Sequence, residues 1–272
     1  MGIELKDRPL RVITPARYRQ IFISDILDIA GDARALWIPN LSDTLTTLDE
    51  TRHAQFWTYS KSLASFDTSI SPLGNGYEVV FNGTDEQVDT DNDNRYIFGD
   101  GASDEPFSVF ALVQVVAGTS IQTILSRYDV TTGDTKQEWI FFINGEERPV
   151  LQLYDDSVTS AYIGRESLTA LTTNTRYFLV VTYDGTGVSA GIRIYIDAVR
   201  SNDNEIAGAG TYVAIENTDA PLKLGNILNT NTVADLLWSG RMALAGLCAK
   251  ELNIHEIWQM KELINAYYDL SL

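Results

Sequence analysis

The 272-residue sequence holds one cysteine and two histidines, and both scarcities narrow its chemistry. With Cys248 alone no intramolecular disulfide forms, so the fold does not depend on an oxidising compartment. Cys248 ends the apolar run from Met242, where a thiol is expected to be a core residue rather than a nucleophile. With only His53 and His255, a histidine-rich metal centre is excluded, and His255-Glu256 lacks the second histidine of a zinc-binding helix. No Glu-x-Asp pair occurs anywhere. Alternate carboxylates on one strand face, as used by many sandwich-fold glycoside hydrolases, are therefore missing, and Glu138 stands alone on its strand. A serine-hydrolase elbow is not expected either, and the chain is expected not to be an enzyme. Gly99-Asp100-Gly101, Gly185-Thr186-Gly187 and Gly208-Ala209-Gly210 lack the third glycine and the helix of a dinucleotide site. Nor does any segment approach the ~18 apolar residues of a membrane span. The opening residues lack the apolar centre of an export signal, so synthesis in a cytoplasm without export is expected.

Basic residues are also few: 20 Lys and Arg stand against 37 Asp and Glu, a formal charge of −17. A field of that sign repels phosphate backbones and anionic lipid, so neither nucleic acid nor a membrane is an expected partner. The charge is unevenly placed. Lys6, Arg8, Arg11, Arg17 and Arg19 against Glu4 and Asp7 give the first twenty residues a net +3, which leaves −20 for the remainder. Pro9 and Pro15 favour extended backbone before them. Residues 1–32 therefore read as an N-terminal arm, either docking a partner through Arg8, Arg11, Arg17, Arg19, Ile21 and Phe22 or closing the domain as a strand.

What is abundant is strand grammar. Many short runs rich in Val, Ile, Phe and Tyr end in Asn-Gly, Asp-Gly or Asp-Asn turns. Residues 107–116 are apolar on both alternations, as in a strand covered on both faces. Residues 137–143 end at Asn144-Gly145, a two-residue hairpin signal. Residues 192–197 alternate cleanly. Many such strands argue a two-sheet sandwich packed face to face, with Phe110, Leu112, Trp139, Phe141, Val180, Ile194 and Ile196 largely buried. Only the C-terminus reads as helical: Asn253 with Glu256 approximates a capping box, and Ile257, Met260, Ile264 and Tyr267 share one face.

Two surface readings remain. Asp89, Asp91 and Asp93 alternate near Asn92, Asn94 and Asp100, an oxygen-rich set suited to calcium, although Asn94 occupies the glycine position of an EF-hand and no closing Glu follows. No other cofactor is expected. Trp37, Trp57 and Tyr59 are candidate stacking platforms for a sugar, although large aromatics are more often core.

A family resemblance rests on several segments in order. Tyr177 to Gly185, ending Thr-Tyr-Asp-Gly, and Gly191 to Asp197, ending Tyr-Ile-Asp, resemble the central hairpin of laminin-G-like domains. Leu222 to Gly225 is similar to the strand after it. Trp238 to Met242 and Lys250 to Ile257 are similar to the closing strand and the turn before a helix. Phe81 to Glu86 and Phe107 to Val109 fit the early strands. Ala198 departs from the usual turn glycine and Leu179 from a frequent histidine. The resemblance covers about residues 33–268 and implies a concanavalin A-like antiparallel jelly roll, all-β, over 33–272, with an N-terminal arm and a short C-terminal helix.

The basic arm, single cysteine and terminal helix further resemble structural proteins of tailed bacteriophages. That resemblance implies a non-enzymatic virion component, a decoration, head-fibre or tail protein present as a homo-oligomer or in many copies and contacting other virion proteins of the capsid or tail. The alternative is a carbohydrate-binding or adhesion module for host attachment, with a host surface glycan as ligand. A glycan hydrolase is the third and least favoured reading.

Overall fold

A computed structural model describes residues 15–39, 46–48, 56–59, 70–86, 88–90, 93–116, 120–131, 134–229 and 233–272. Among these residues the chain forms two β-sheets packed face to face, the expected jelly-roll sandwich. The first sheet has eight strands: β1 (Ala33–Trp37), β4 (Ile70–Leu73), β5 (Gly76–Asn82), β7 (Phe107–Val115), β12 (Arg176–Tyr183), β13 (Ile192–Ile196), β14 (Val199–Arg200) and β19 (Ser239–Cys248). The second has eleven: β2 (Thr46–Leu48), β3 (Phe56–Tyr59), β6 (Val88–Asp89), β8 (Gln122–Thr131), β9 (Asp134–Ile143), β10 (Pro149–Asp155), β11 (Ala161–Ser167), β15 (Asp203–Ala207), β16 (Leu222–Leu224), β17 (Ile227–Asn229) and β18 (Val233–Asp235). The first runs β14-β13-β12-β7-β19-β5-β4, with β1 also on β19. The second runs β15-β11-β10-β9-β8-β16-β6-β3-β2, with the β17–β18 hairpin beside β8. The pairing is antiparallel apart from a single parallel bridge, Leu228 to Asp129.

Between the sheets lies the main core. Phe107, Val109, Ala111, Val113 and Val115 of β7 meet Trp139, Phe141 and Ile143 of β9 there. The other alternation of β7 faces away: Phe110 and Leu112 enter a second core with Phe178, Val180 and Tyr195. That is why β7 is buried at all nine positions. Helices cover it from outside.

Two helices form that cover. α2 (Ile254–Tyr268) begins at the expected capping box: the Asn253 side chain accepts from the amides of His255 (2.9 Å) and Glu256 (3.1 Å), while Glu256 accepts from the Asn253 amide at 2.9 Å. Its expected stripe, Ile257, Met260, Ile264 and Tyr267, is buried. α1 (Pro15–Ala30) makes the described part of residues 1–32 a helix and not the closing strand that is one of the two expectations for it. Pro15 is tolerated at the helix start, where its missing N–H would have had no intrahelical partner. Phe22, Ile26 and Ala30 recur every four residues and are buried. Gly31 at φ 69° closes the helix, its amide bonding the Leu27 carbonyl at 2.9 Å. Phe22 stacks on Tyr267 with ring centroids 4.1 Å apart, so α1 and α2 lock together over the first sheet.

Candidate functional site

The helices cover the outer face of the first sheet, and among the described residues no helix covers the outer face of the second. Part of that face is still roofed. Ile140, Phe142 and Val150 are buried in a small cluster with Ile227 of β17, against which Leu236 packs. The remainder opens as a cleft of about 550 Å³. Its floor is Tyr128 of β8, Gln137 of β9, Gln152 and Tyr154 of β10 and Tyr162 of β11; its wall is the turn from Asp155 to Ala161.

Register brings these side chains into one row. Tyr154 pairs with Tyr162, and Tyr128 pairs with Gln137. Paired residues point to the same face. The Tyr128 and Tyr154 rings lie 5.1 Å apart at 70°, and those of Tyr154 and Tyr162 lie 5.6 Å apart at 45°. Gln137 donates to the Tyr128 hydroxyl at 2.9 Å, and the Tyr154 hydroxyl donates to Gln152 at 2.5 Å. Burial pushes the Tyr128 hydroxyl above its ordinary range, and that of Tyr154 further still. Both stay protonated donors at any physiological pH.

A bulge in β9 makes the row. The register with β8 slips where Arg127 pairs with Trp139 but Tyr128 pairs with Gln137, which leaves Glu138 as the extra residue. Gln137 therefore faces out, whereas Trp139 faces the core and Glu138 is wholly buried. The Glu138 carboxylate lies 3.0 Å from Arg127, also wholly buried, and accepts from the Thr218 hydroxyl (2.7 Å) and amide (3.1 Å). Arg127 also donates to the carbonyls of Asp93 (3.3 Å) and Thr218 (3.2 Å). Burial raises the Glu138 carboxyl to about 7. The one carboxylate the sequence singled out on this strand thus faces inward and not into the cleft.

The wall is fastened from behind. Asp155 is buried and accepts from the Ser157 hydroxyl (2.6 Å) and the Val213 amide (3.0 Å). Asp104 accepts from the hydroxyls of Tyr183 (2.5 Å) and Tyr212 (2.7 Å) and the amide of Ile215 (2.7 Å). Together they pin residues 212–215 across the sandwich edge. Gly208 and Gly210 bring the same segment against the wall, their amides bonding the carbonyls of Tyr162 (2.9 Å) and Ser160 (3.1 Å).

The residues singled out by sequence lie elsewhere. Asp89 sits 3.1 Å from the nearly buried Lys223. Asp93 accepts from the Arg95 amide at 2.8 Å and lies 3.1 Å from its guanidinium. Asp91 lies outside the described residues, and among those described no group of three or more His, Cys, Asp or Glu is placed to hold a metal. Calcium at this run would compete with Lys223 and Arg95. Of the docking set, Phe22 is buried in its own chain, Arg19 donates to the Ile38 carbonyl at 3.0 Å, and Arg17 and Ile21 are exposed. Arg8 and Arg11 lie outside the described residues. Trp37 is wholly buried; the side chains of Trp57 and Tyr59 lie outside the description.

The expectation that no serine-hydrolase elbow occurs missed a match by letter, Gly187-Val188-Ser189-Ala190-Gly191. Its context removes it. An elbow needs a strand turning into a helix. Here Ser189 is buried and opens a single 3-10 turn, Ser189–Gly191, after which the chain continues as strand β13.

Tyr128, Tyr154 and Tyr162 were missed as site residues. Alternation of Val150, Gln152 and Tyr154 on one side of β10 was the available signal, but it shows a face, not whether that face is covered.

No protein-family profile and no curated protein sequence matches the chain. Solved structures do match. The binding domain of Paraclostridial Mosquitocidal Protein 1 is similar over 86% of this chain and 52% of its own, with 10% identity and a TM-score of 0.57. A botulinum neurotoxin type C chain, from a study of cell entry through interaction with two ganglioside molecules, covers 88% and 53% at 15% identity and 0.57. A Trypanosoma rangeli sialidase mutant displaying trans-sialidase activity covers 92% and 38% at 12% identity and 0.56. The chain therefore spans about half or less of these proteins, and at such identities the likeness is one of fold.

Proposed function

We propose that this chain is a carbohydrate-binding module whose site is the open cleft on the second sheet. One observation carries the reading: three tyrosines in a continuous row, flanked by Gln137 and Gln152, on the sheet face that the helices leave free. Sugars offer an apolar C–H face and a rim of hydroxyls. A tyrosine row suits the first, and amide, hydroxyl and carboxylate groups suit the second. Among the described residues the lining supplies stacking surface together with hydroxyl, amide and carboxylate groups, which suit the binding of a sugar. The named binding functions of several fold neighbours agree with this reading but do not carry it.

The virion role rests on sequence resemblance alone, whereas the glycan reading rests on a surface of this molecule and takes precedence. A host-attachment module carried in many copies would unite the two, since avidity raises weak single-site affinity. Calorimetry against glycans selected on a printed panel tests the proposal. Tyr154→Ala and Tyr162→Ala are each expected to weaken binding about tenfold, the order of one lost aromatic contact. A panel without any bound glycan, or binding unchanged in both variants, defeats it.

A further inference from the structure

α1 and α2 run antiparallel. Tyr18 in the first turn of α1 stacks on Tyr267 in the last turn of α2, with ring centroids 5.7 Å apart, and Lys250, just ahead of α2, donates to the Ile29 carbonyl at 2.8 Å. Their solvent side opens as a groove of about 450 Å³, lined by Asp25, Asp28 and Ile29 of α1 and by Trp258, Glu262 and Leu263 of α2. Trp37, Trp139 and Trp238 are wholly buried, whereas Trp258 is 51% exposed. Ile21, one turn before Asp25, and Ile254, one turn before Trp258, are exposed too. An exposed apolar stripe rimmed by polar groups marks a contact surface. Among the described residues no Lys, Arg or His lines the groove, and no ion pair or hydrogen bond ties the carboxylates of Asp25, Asp28 or Glu262 to another described residue. The groove therefore suits a segment that is apolar and cationic: the carboxylates offset its charge, and the Trp258 ring face attracts a guanidinium. A second copy docking by the same face is the wrong occupant, because it would set carboxylates against carboxylates.

The chain carries a segment of that kind. Residues 1–14 lie outside the described residues and lead directly into Pro15, the start of α1; they hold Lys6, Arg8 and Arg11 beside Leu10, Val12 and Ile13. Pro9 and Pro15 bias the residues before them towards extended or polyproline II backbone. In polyproline II three residues make a turn and each advances about 3.1 Å, so Arg8 and Arg11 would share one edge and Leu10 and Ile13 another. Measured from Pro15, that rise sets Arg11 at about 12 Å and Arg8 at about 22 Å. Along α1, Asp25 and Asp28 stand at about 15 and 20 Å from the same residue. We infer that residues 5–14 fold back along the α1–α2 groove of their own chain, with Arg11 and Arg8 facing Asp25 and Asp28 and the apolar edge resting on Trp258, Ile29 and Leu263. Exposed ion pairs alone hold such a segment weakly, so the charges set its register and the apolar contacts supply most of the hold. The same segment of another copy competes poorly, because the tether to α1 keeps the segment of the same chain at high effective concentration. The basic arm is then engaged by its own helices rather than free to dock on a neighbour.

The test uses the full chain with Val12→Cys carrying a bimane label, whose emission tryptophan quenches on contact; Cys248 is buried and stays unlabelled. Emission is expected to rise at least twofold in Trp258→Phe, in Arg8→Glu combined with Arg11→Glu, and in part at high salt. Adding Asp25→Arg and Asp28→Arg to the two Glu substitutions is expected to restore the quenching; both positions lie towards the C-terminal end of α1, where cations suit the helix. Quenching in the parent should not change on dilution. Emission unaffected by Trp258→Phe means that the segment does not lie in the groove and overturns the inference. Quenching lost on dilution gives the groove to the arm of another copy and overturns it as well. Quenching that Trp258→Phe relieves but charge reversal and salt do not touch removes the pairing of Arg8 and Arg11 with Asp28 and Asp25, and the proposed register falls with it.

Discussion

At the scale of single residues, the pair Arg127–Glu138 shows how one sandwich interior accommodates charge. Both side chains are wholly buried, and their bonds to Thr218 and Asp93 hold two loops against β8 and β9. Because burial raises the Glu138 carboxyl from 4.5 to about 7, the folded chain keeps a proton there that the unfolded chain has lost between those values. That stabilising contribution is complete below pH 4.5 and is lost as pH rises through about 7. Glu138→Gln preserves shape and still accepts from Thr218. Its melting temperature is expected to fall less than the parent's between pH 5 and 8, read by thermal denaturation. Arg127→Met should cost about 3–5 kcal/mol at pH 8, because it strands a buried carboxylate; denaturant unfolding measures it. Cys248 is buried and its thiol is pushed up to about 12, so the native protein should resist thiol reagents that label it fully once unfolded.

At the scale of elements, the site is made by a bulge and by two glycines. The bulge at Glu138 turns Gln137 outward beside Tyr128. Gly208 then lets the 208–210 segment close on the wall: a Cβ there would lie 1.9 Å from the Ser160 carbonyl oxygen and 2.8 Å from the Tyr162 ring. Gly208→Val is therefore expected to displace Tyr162 and weaken glycan binding at least as much as Tyr162→Ala does. The core should survive, so the melting temperature should move much less than in Arg127→Met. Binding equal to the parent's would show that this wall plays no part. Legibility also differed by element. The capping box and stripe of α2 were plain. α1 is hidden because Ile21, Phe22 and Ile23 look like strand residues and Pro15 favours extension before it. Gly31 after Ala30 was the readable stop signal.

At the scale of the whole molecule, asymmetry decides where a ligand can go. Both sheets have an inner face in the common core, but α1 and α2 seal the outer face of the first, with Phe22 stacked on Tyr267 and edge-on to Tyr268 at 5.7 Å. Phe22→Ala should destabilise the protein by about 3–5 kcal/mol, as expected for a buried aromatic truncated in place, and leave the glycan affinity of the folded fraction unchanged. Little loss of stability would mean that α1 is a detachable arm.

Local pattern by itself determined the class. Alternation, turn signals and the doubly apolar run of β7 depend on neighbours a few residues apart, so they specify strands, their buried faces and a two-sheet sandwich. Only the tertiary structure decided which outer face is covered and which side chains meet. Tyr128, Tyr154 and Tyr162 converge through strand register and a one-residue bulge, and α1 is fixed by contacts with a helix more than two hundred residues away. These are long-range packing outcomes. In the sequence the same tyrosines are ordinary strand residues, because a strand's alternation says which side chains share a face and not what lies across from it.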